Sequence, residues 1–221
     1  MKICVIIPVY NEADTIGSLV DAIKKKGLDI IVIDDGSTDN SGKIAFGCGA
    51  EVIKHGTRKG KGASLKDGFR YVLERDYEGA ITMDGDGQHD PQDLDAFLSA
   101  INQHGVCVIN GNRMNNVHNM PFVRRKTNQF MSFLISSVIH FRIPDTQCGY
   151  RYIHRSILKQ LQLVSNDFEI ETEILMKACK QGFAIHSVPV KTIYRNEKSK
   201  INPAKDTWRF FKYFIKELLG K

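Results

Sequence analysis

The first half of this chain alternates short apolar runs with helical patterns, and that alternation limits what it can fold into. Runs rich in Ile and Val occupy residues 3–8, 30–34, 51–54, 79–84 and 106–109. Helical periodicity fills the intervals at 12–26, 39–47, 62–74 and 91–104. Strands that are apolar along their whole length are covered on both faces, as parallel strands joined by helical crossovers are. The pattern predicts an α/β, Rossmann-like domain with a mostly parallel central sheet, helices on both faces and right-handed crossovers.

Beyond about residue 110 the pattern changes. Residues 128–141 read as a mostly apolar helix, 169–181 as an amphipathic one and 184–190 as a further strand, and 207–221 are basic and aromatic-rich. With 221 residues, 42% hydrophobic content and no linker, repeat or low-complexity tract, a single domain over 1–221 is expected. The five cysteines are scattered and never form a CxxC pair, which predicts neither a disulfide framework nor structural zinc and fits a reducing compartment. The opening run Lys2-Ile3-Cys4-Val5-Ile6-Ile7 is too short for a signal-peptide core. No run reaches the ~18 apolar residues that span a bilayer. These readings predict a cytoplasmic protein, soluble or peripheral on the inner face of a membrane. The net charge of +6 and pI of about 9.0 suit anionic partners such as nucleotides, lipid phosphates or a bilayer surface, without choosing among them. Nucleic acid is not expected: that reading rests on charge alone, because the aromatics gather at the C-terminus and not on a strand platform.

Polar and glycine residues gather after three of the strands: Tyr10-Asn11-Glu12, Asp35-Gly36-Ser37-Thr38-Asp39 and Gly85-Asp86-Gly87-Gln88. Open α/β sheets bind ligands at the carboxyl ends of their strands, so the three clusters should converge on one crevice. In Asp84-Gly85-Asp86-Gly87-Gln88, oxygen-bearing side chains alternate with glycines. Mg2+ and Mn2+ prefer such ligands and keep positions for substrate phosphates. A plain Asp/Gly turn is the alternative. A calcium loop is disfavoured, since His89 stands at its turn-glycine position and Asp95 at its bidentate glutamate. Gly56-Thr57-Arg58-Lys59-Gly60-Lys61-Gly62 is one residue short of a Walker loop and lacks its Ser/Thr.

Taken in order, Pro8-Val9-Tyr10-Asn11-Glu12, Asp34-Asp35-Gly36-Ser37-Thr38-Asp39, Gly60-Lys61-Gly62-Ala63 and Met83-Asp84-Gly85-Asp86-Gly87-Gln88-His89 resemble the motifs of family 2 glycosyltransferases. Asp145-Thr146-Gln147-Cys148-Gly149-Tyr150-Arg151 resembles the Asp…Gly-Phe-Arg segment of the dolichyl-phosphate mannosyltransferase-like branch, with Tyr150 for the usual Phe. The stretch 194–203 is also similar to that branch. The resemblance implies a type A glycosyltransferase fold with a nucleotide- and metal-binding half to about residue 110, an acceptor-binding half at about 111–200 and a C-terminal amphipathic helix at about 203–221. It implies inverting, Mg2+- or Mn2+-dependent transfer of a hexose from a nucleotide sugar of GDP-mannose or UDP-glucose type. The expected acceptor is a polyprenyl or dolichyl phosphate, with a saccharide hydroxyl as the alternative.

Carried over residue by residue, the resemblance assigns Pro8, Tyr10, Glu12, Asp35, Lys61 and Asp84 to the donor and Asp84, Asp86 and Gln88 to the metal. Asp86, Asp145, Arg113 and Arg125 are the expected catalytic groups, and Arg113, Arg124, Arg125 and Arg151 would face the acceptor. Asp145 reads either as a base for a hydroxyl or, preferably, as an orienter of Arg151, and Asp39 as a helix N-cap. A phosphate acceptor needs cations more than a base, and paired guanidiniums supply them. The apolar helix at 128–141 and the terminal aromatic segment both fit a bilayer interface; the latter equally fits a helix docked on its own core, and an oligomer contact is a third option. Nucleotidyl transfer is disfavoured because Tyr10-Asn11-Glu12 stands where a glycine-rich basic loop belongs, and a non-catalytic binding module is the remaining alternative.

Overall fold

The computed structural model describes residues 2–115, 120–193 and 203–218. The strands are β1 (Ile3–Val9), β2 (Asp29–Asp34), β3 (Glu51–Lys54), β4 (Gly79–Thr82), β5 (Val108–Asn112), β6 (Arg151–His154) and β7 (Ile185–Pro189). The helices are α1 (Ala13–Lys24), α2 (Ser41–Gly47), α3 (Lys61–Leu73), α4 (Leu94–His104), α5 (Phe122–Ile139), α6 (Arg155–Leu158), α7 (Ile170–Lys180) and α8 (Pro203–Leu218). The strands form one sheet in the order β3-β2-β1-β4-β6-β5-β7, in which only β6 runs antiparallel to its neighbours among the described residues.

The alternation of side chains along β1 builds the layers. Ile3, Val5, Ile7 and Val9 pack with Ile16, Leu19 and Ile23 of α1 and Phe97 of α4 on one face. Cys4 and Ile6 pack on the other with Leu65, Phe69 and Val72 of α3 and Ile170 and Ile174 of α7. Each such aliphatic or aromatic side chain, taken fully out of water, contributes about 1.5–3 kcal/mol. A smaller cluster of Met131 and Ile135 from α5, Met176 from α7, and Phe210, Tyr213 and Phe214 seats α8 on the domain.

Strand order positions the site. Val9 pairs with Asp34 and Ile6 with Thr82, so the carboxyl ends of β1, β2 and β4 lie side by side. The antiparallel β6 starts at that same edge, where Arg151 stands opposite both Thr82 and Asn110. The segment leading into β6 is thereby delivered to the crevice that the parallel strands open onto.

The structure departs from the sequence reading at several boundaries and in one strand. The run expected at 106–109 begins two residues later and extends through Asn112, because Gly105 closes α4 at φ 65° and Val106 is exposed. The helix α5 starts six residues earlier than 128, directly after Pro121, with a charged first turn that hides its start from an apolar pattern. Strand β6 was read only as a motif. The expected stretch at 194–202 lies outside the described residues, as do the side chains of 203–208.

Candidate active site

The loops after β1 and β2 are sewn together by short polar side chains. Asn11, at φ 55°, takes the Thr38 N–H on its side-chain oxygen at 2.8 Å, and Ser37 Oγ accepts the Asn11 N–H at 3.1 Å. Asp39 accepts the N–H of Ser41 at 2.9 Å and of Ala13 at 3.1 Å, so one carboxylate serves the first turns of both α2 and α1. The N-cap position of α2 itself is Asn40, so Asp39 serves these turns from one residue before the cap expected of it.

Asp35 is placed differently from expectation. Its carboxylate is buried and accepts the N–H groups of Lys59 and Gly60, each at 2.8 Å, and it pairs with His55 Nδ1 at 2.7 Å. The other ring nitrogen of His55 lies 2.8 Å from Asp67. Both Asp35 oxygens therefore bind protein, and the residue shapes the 55–60 loop where a nucleobase contact was expected. That loop carries Arg58 over the Tyr10 ring, 4.2 Å from its centroid. Beside it, Gly36, Ser37, Thr38, Lys54, His55 and Gly56 line a cleft of about 470 Å³. A larger cleft of about 540 Å³ near Lys25, Lys26 and Lys191 contains none of the expected site residues.

After β4, the Asp84–Gln88 loop rests on the end of β1 and the start of α1. Thr15 Oγ1 donates to the Gly85 carbonyl at 2.6 Å, and a Cβ at Gly85 would come within 3.2 Å of the Pro8 carbonyl and 3.5 Å of Glu12 Cγ. Pro8 and Glu12 thus border the loop that carries Asp84 and Asp86, while Tyr10 stands under Arg58. Asp84 Oδ1 meets Lys61 Nζ at 2.5 Å, and Lys61 also reaches Glu171 at 2.9 Å. Burial opposes the charge on Asp84, yet the Lys61 ammonium outweighs it and holds its carboxyl down at about 2. Burial likewise opposes the Lys61 ammonium, and the two carboxylates overcome it and raise its pKa above the usual lysine value. Gly149 makes this approach feasible, because a Cβ there would stand 2.8 Å from Lys61 Nζ and 3.1 Å from Asp84 Oδ2. His89 accepts the Asp84 N–H on Nδ1 at 3.2 Å and stacks on Tyr150, 5.0 Å between centroids. Burial lowers its pKa.

Asp84, Asp86 and Gln88 suit a divalent cation in their chemistry: two carboxylates and an amide oxygen at the mouth of the crevice, with Asp84 partly exposed. Among the described residues no group of three or more His, Cys, Asp or Glu converges on one point, so a metal here would draw its remaining ligands from substrate or water.

The side on which the acceptor was expected is built from β5, α5 and the segment before β6. Arg113 grips Asp145 with both ends of its fork, Nε at 2.7 Å and Nη2 at 2.9 Å. Asp145 has no exposed surface, and Arg113 overcomes the cost of burial to lower its pKa. Asp145 therefore orients Arg113 and not Arg151. Arg151 is fully buried, bound to Asn110 at 2.7 Å, the Thr146 carbonyl at 2.8 Å and Glu171 at 3.0 Å. Placed at the start of a central strand, it braces the segment leading into β6 and has no surface to offer an acceptor, which corrects its expected role. Arg124 reaches Gln88 Oε1 at 3.4 Å, whereas Arg125 is exposed one position round the helix.

Four residues of this site escaped the sequence reading. Arg58 sat within what looked like a failed phosphate loop, and His55 stood directly before it. Glu171 shares a helical face with Ile174, Leu175 and Ala178, all buried, and an acid on an apolar face was the signal that could have found it. Asn128 follows Arg124 by one turn and precedes Ser132, which bonds Thr146 at 3.1 Å. It is buried, and its amide nitrogen has no hydrogen-bond partner among the described residues.

Comparison with known proteins matches residues 4–162 to the model of glycosyl transferase family 2. This chain belongs to glycosyltransferase family 2. A UDP-N-acetylglucosamine–dolichyl-phosphate N-acetylglucosaminyltransferase from Methanococcus voltae is 33% identical, over 87% of this chain and 86% of that one. An undecaprenyl-phosphate mannosyltransferase from Micrococcus luteus is 29% identical over 88% and 85%. The fold is shared with glucosyl-3-phosphoglycerate synthase from Mycobacterium tuberculosis, at a TM-score of 0.73 and 20% identity over 99% of this chain and 79% of that one. The family 2 transferase described here thus has the type A fold that its motifs implied, and it is an enzyme of the glycosyltransferase class.

Proposed function

We propose that this transferase moves a hexose from a nucleoside-diphosphate sugar to a polyprenyl phosphate, inverting the anomeric centre, with Mg2+ or Mn2+ at Asp84, Asp86 and Gln88. The observation that carries the choice of acceptor is the Arg113–Asp145 pair. A hydroxyl acceptor needs a carboxylate free to take its proton. Asp145 has both oxygens bound by Arg113 and a lowered pKa, so it is a poor base and a good anchor. A phosphate monoester, with a second pKa of about 6, arrives already anionic and needs cations to hold it. Arg113 and Arg124, with Asn128 one turn on, supply donors for its oxygens on the Gln88 side of the crevice. A bound divalent cation would neutralise charge building on the leaving diphosphate. Tyr10 and Arg58 flank the cleft in which the nucleoside half of the donor fits.

Two further features support a lipid acceptor. Relatives of this chain are named as dolichyl- and undecaprenyl-phosphate transferases. On α5, Phe122, Val123, Phe130 and Phe133 are exposed beside Arg125 and Lys126, and α8 adds exposed Phe211 and Ile215, a pattern that favours the surface of an anionic bilayer. No helix among the described residues is long and apolar enough to cross one.

The test is transfer of radiolabelled sugar into an organic-extractable product, with polyprenyl phosphate, Mn2+ or Mg2+, and GDP-mannose or UDP-glucose offered separately. Label that enters the organic phase and disappears with EDTA and with Asp86→Ala establishes donor, metal and acceptor together. Metal-dependent donor turnover in water without organic label would replace the lipid acceptor by a saccharide.

A further inference from the structure

Lys61 occupies the first position of α3, and its ammonium bridges two carboxylates of unequal character. Asp84, 2.5 Å away, is partly exposed to the crevice, with 29% of its side chain accessible. Glu171, 2.9 Å away, is buried, and its other oxygen lies 3.0 Å from the fully buried Arg151. Glu171 is therefore paired on its Arg151 side whatever Lys61 does, whereas Asp84 is the carboxylate that a metal would take. Divalent cations of the Mg2+ type bind a carboxylate oxygen at about 2.0–2.1 Å. An ammonium at 2.5 Å from Asp84 Oδ1 competes for that oxygen and repels a second positive charge beside it.

We propose that Lys61 is a built-in competitor for the metal at Asp84, and that Glu171 is the seat to which its ammonium withdraws when the metal binds. The proposal rests on the reading of Asp84 and Asp86 as metal ligands. Glu171 is what makes the exchange inexpensive: a buried ammonium displaced from Asp84 without a second partner would be an uncompensated buried charge, which proteins tolerate poorly. With Glu171 already in contact, Lys61 gives up one partner and keeps the other. Linkage makes the coupling reciprocal, so whatever factor Lys61 takes from metal affinity, the metal takes from the Lys61–Asp84 contact. Metal arrival thereby turns the ammonium away from the protein carboxylate and leaves it beside the crevice, where a donor diphosphate can use its charge. The Asp86 carboxylate, by contrast, accepts the Gln88 N–H at 2.9 Å.

The experiment is a Mn2+ titration of the full chain without nucleotide, read by the electron paramagnetic resonance signal of free Mn2+. It compares wild type with Lys61→Met, Glu171→Gln and Asp84→Asn, each checked for a wild-type circular dichroism spectrum. Lys61→Met is expected to bind Mn2+ about tenfold more tightly. Glu171→Gln is expected to bind it more weakly than wild type, because the ammonium then has Asp84 as its one anionic partner in the pair. Unchanged or weaker Mn2+ binding by Lys61→Met overturns the competitor role, and unchanged binding by Glu171→Gln overturns the role of the second seat. Asp84→Asn separates this proposal from the reading beneath it: if it binds Mn2+ as wild type does, the metal assignment itself falls, and the competitor role with it. Should Lys61→Met not fold, Lys61→Gln carries the same prediction with a polar side chain in place of the ammonium.

Discussion

At Asp145, both oxygens are bound by one guanidinium and no surface is exposed, so a substitution there asks what the site needs from a carboxylate. Asp145→Asn keeps the shape and weakens the grip on Arg113. Charge-assisted hydrogen bonds contribute about 1.5–3 kcal/mol, which predicts a fall of about tenfold or more in kcat/KM for polyprenyl phosphate. Metal-dependent hydrolysis of the donor in water should stay near wild type. A loss of all transfer with an unchanged Tm would instead make Asp145 the base for a hydroxyl. Arg151 is expected to behave oppositely. Arg151→Met breaks a fully buried pair with Glu171, a loss of about 3 kcal/mol or more. A chain of this size should then melt about 10 °C lower, with the acceptor KM of the folded fraction unchanged. A raised KM at constant Tm would return Arg151 to the acceptor site. The sequence showed that Asp145 and Arg151 belong near the site but not which cation each carboxylate holds. Partner choice is set by strand register, and Arg151 starts a strand that its motif did not announce.

Among the elements, legibility followed the strength of the apolar pattern. Strands β1 to β4 and helices α1 to α4 were readable because each carries its own period and ends in turn chemistry. Helix α5 was half readable: its apolar stretch stood out, and its first turn, Phe122-Val123-Arg124-Arg125-Lys126, did not, although that turn brings Arg124 to Gln88. The apolar excess of α5 has a structural sense, since Met131 and Ile135 face inward while Phe130 and Phe133 remain 54% and 67% exposed. Exposed side chains of this kind add little to stability. Changing both, Phe130→Ser with Phe133→Ser, should leave Tm within a degree or two while reducing binding to anionic phospholipid vesicles about tenfold. Sedimentation of the protein with vesicles measures the effect, and transfer to a short-chain, water-soluble polyprenyl phosphate should persist. Equal sedimentation of the double variant and wild type would remove this face of α5 from the lipid contact.

On the scale of the whole molecule, charge and burial combine into a dependence of stability on pH that falls in one direction. Burial lowers the pKa of His154 and of His186, and His186 is further opposed by His104, whose ring stacks on it at 3.6 Å. The unfolded chain protonates these imidazoles near pH ~6.5 and the folded chain does so lower, so stability is lost as pH drops below that value. The carboxylates act further down. Asp145, held by Arg113, and Glu173, held by Lys177 and the N–H groups of Val164 and Ser165, both have lowered pKa values despite burial, and Asp84 lies at about 2. Unfolded carboxyls take up protons near pH ~4, so these groups contribute stability above that point and withdraw it as pH approaches their folded values. Tm measured in EDTA should therefore be level near neutrality and decline in two stages, one below about pH 6.5 and a steeper one below about pH 4. The stages belong to different parts of the fold, which makes them separable. His186→Gln should flatten the first, because it removes the imidazole at the α4–β7 edge, and Asp145→Asn should flatten part of the second. If wild-type Tm does not change between pH 7 and 5, these partly buried histidines titrate alike in both states, and the packing of α4 against β7 is looser than the stacked rings imply.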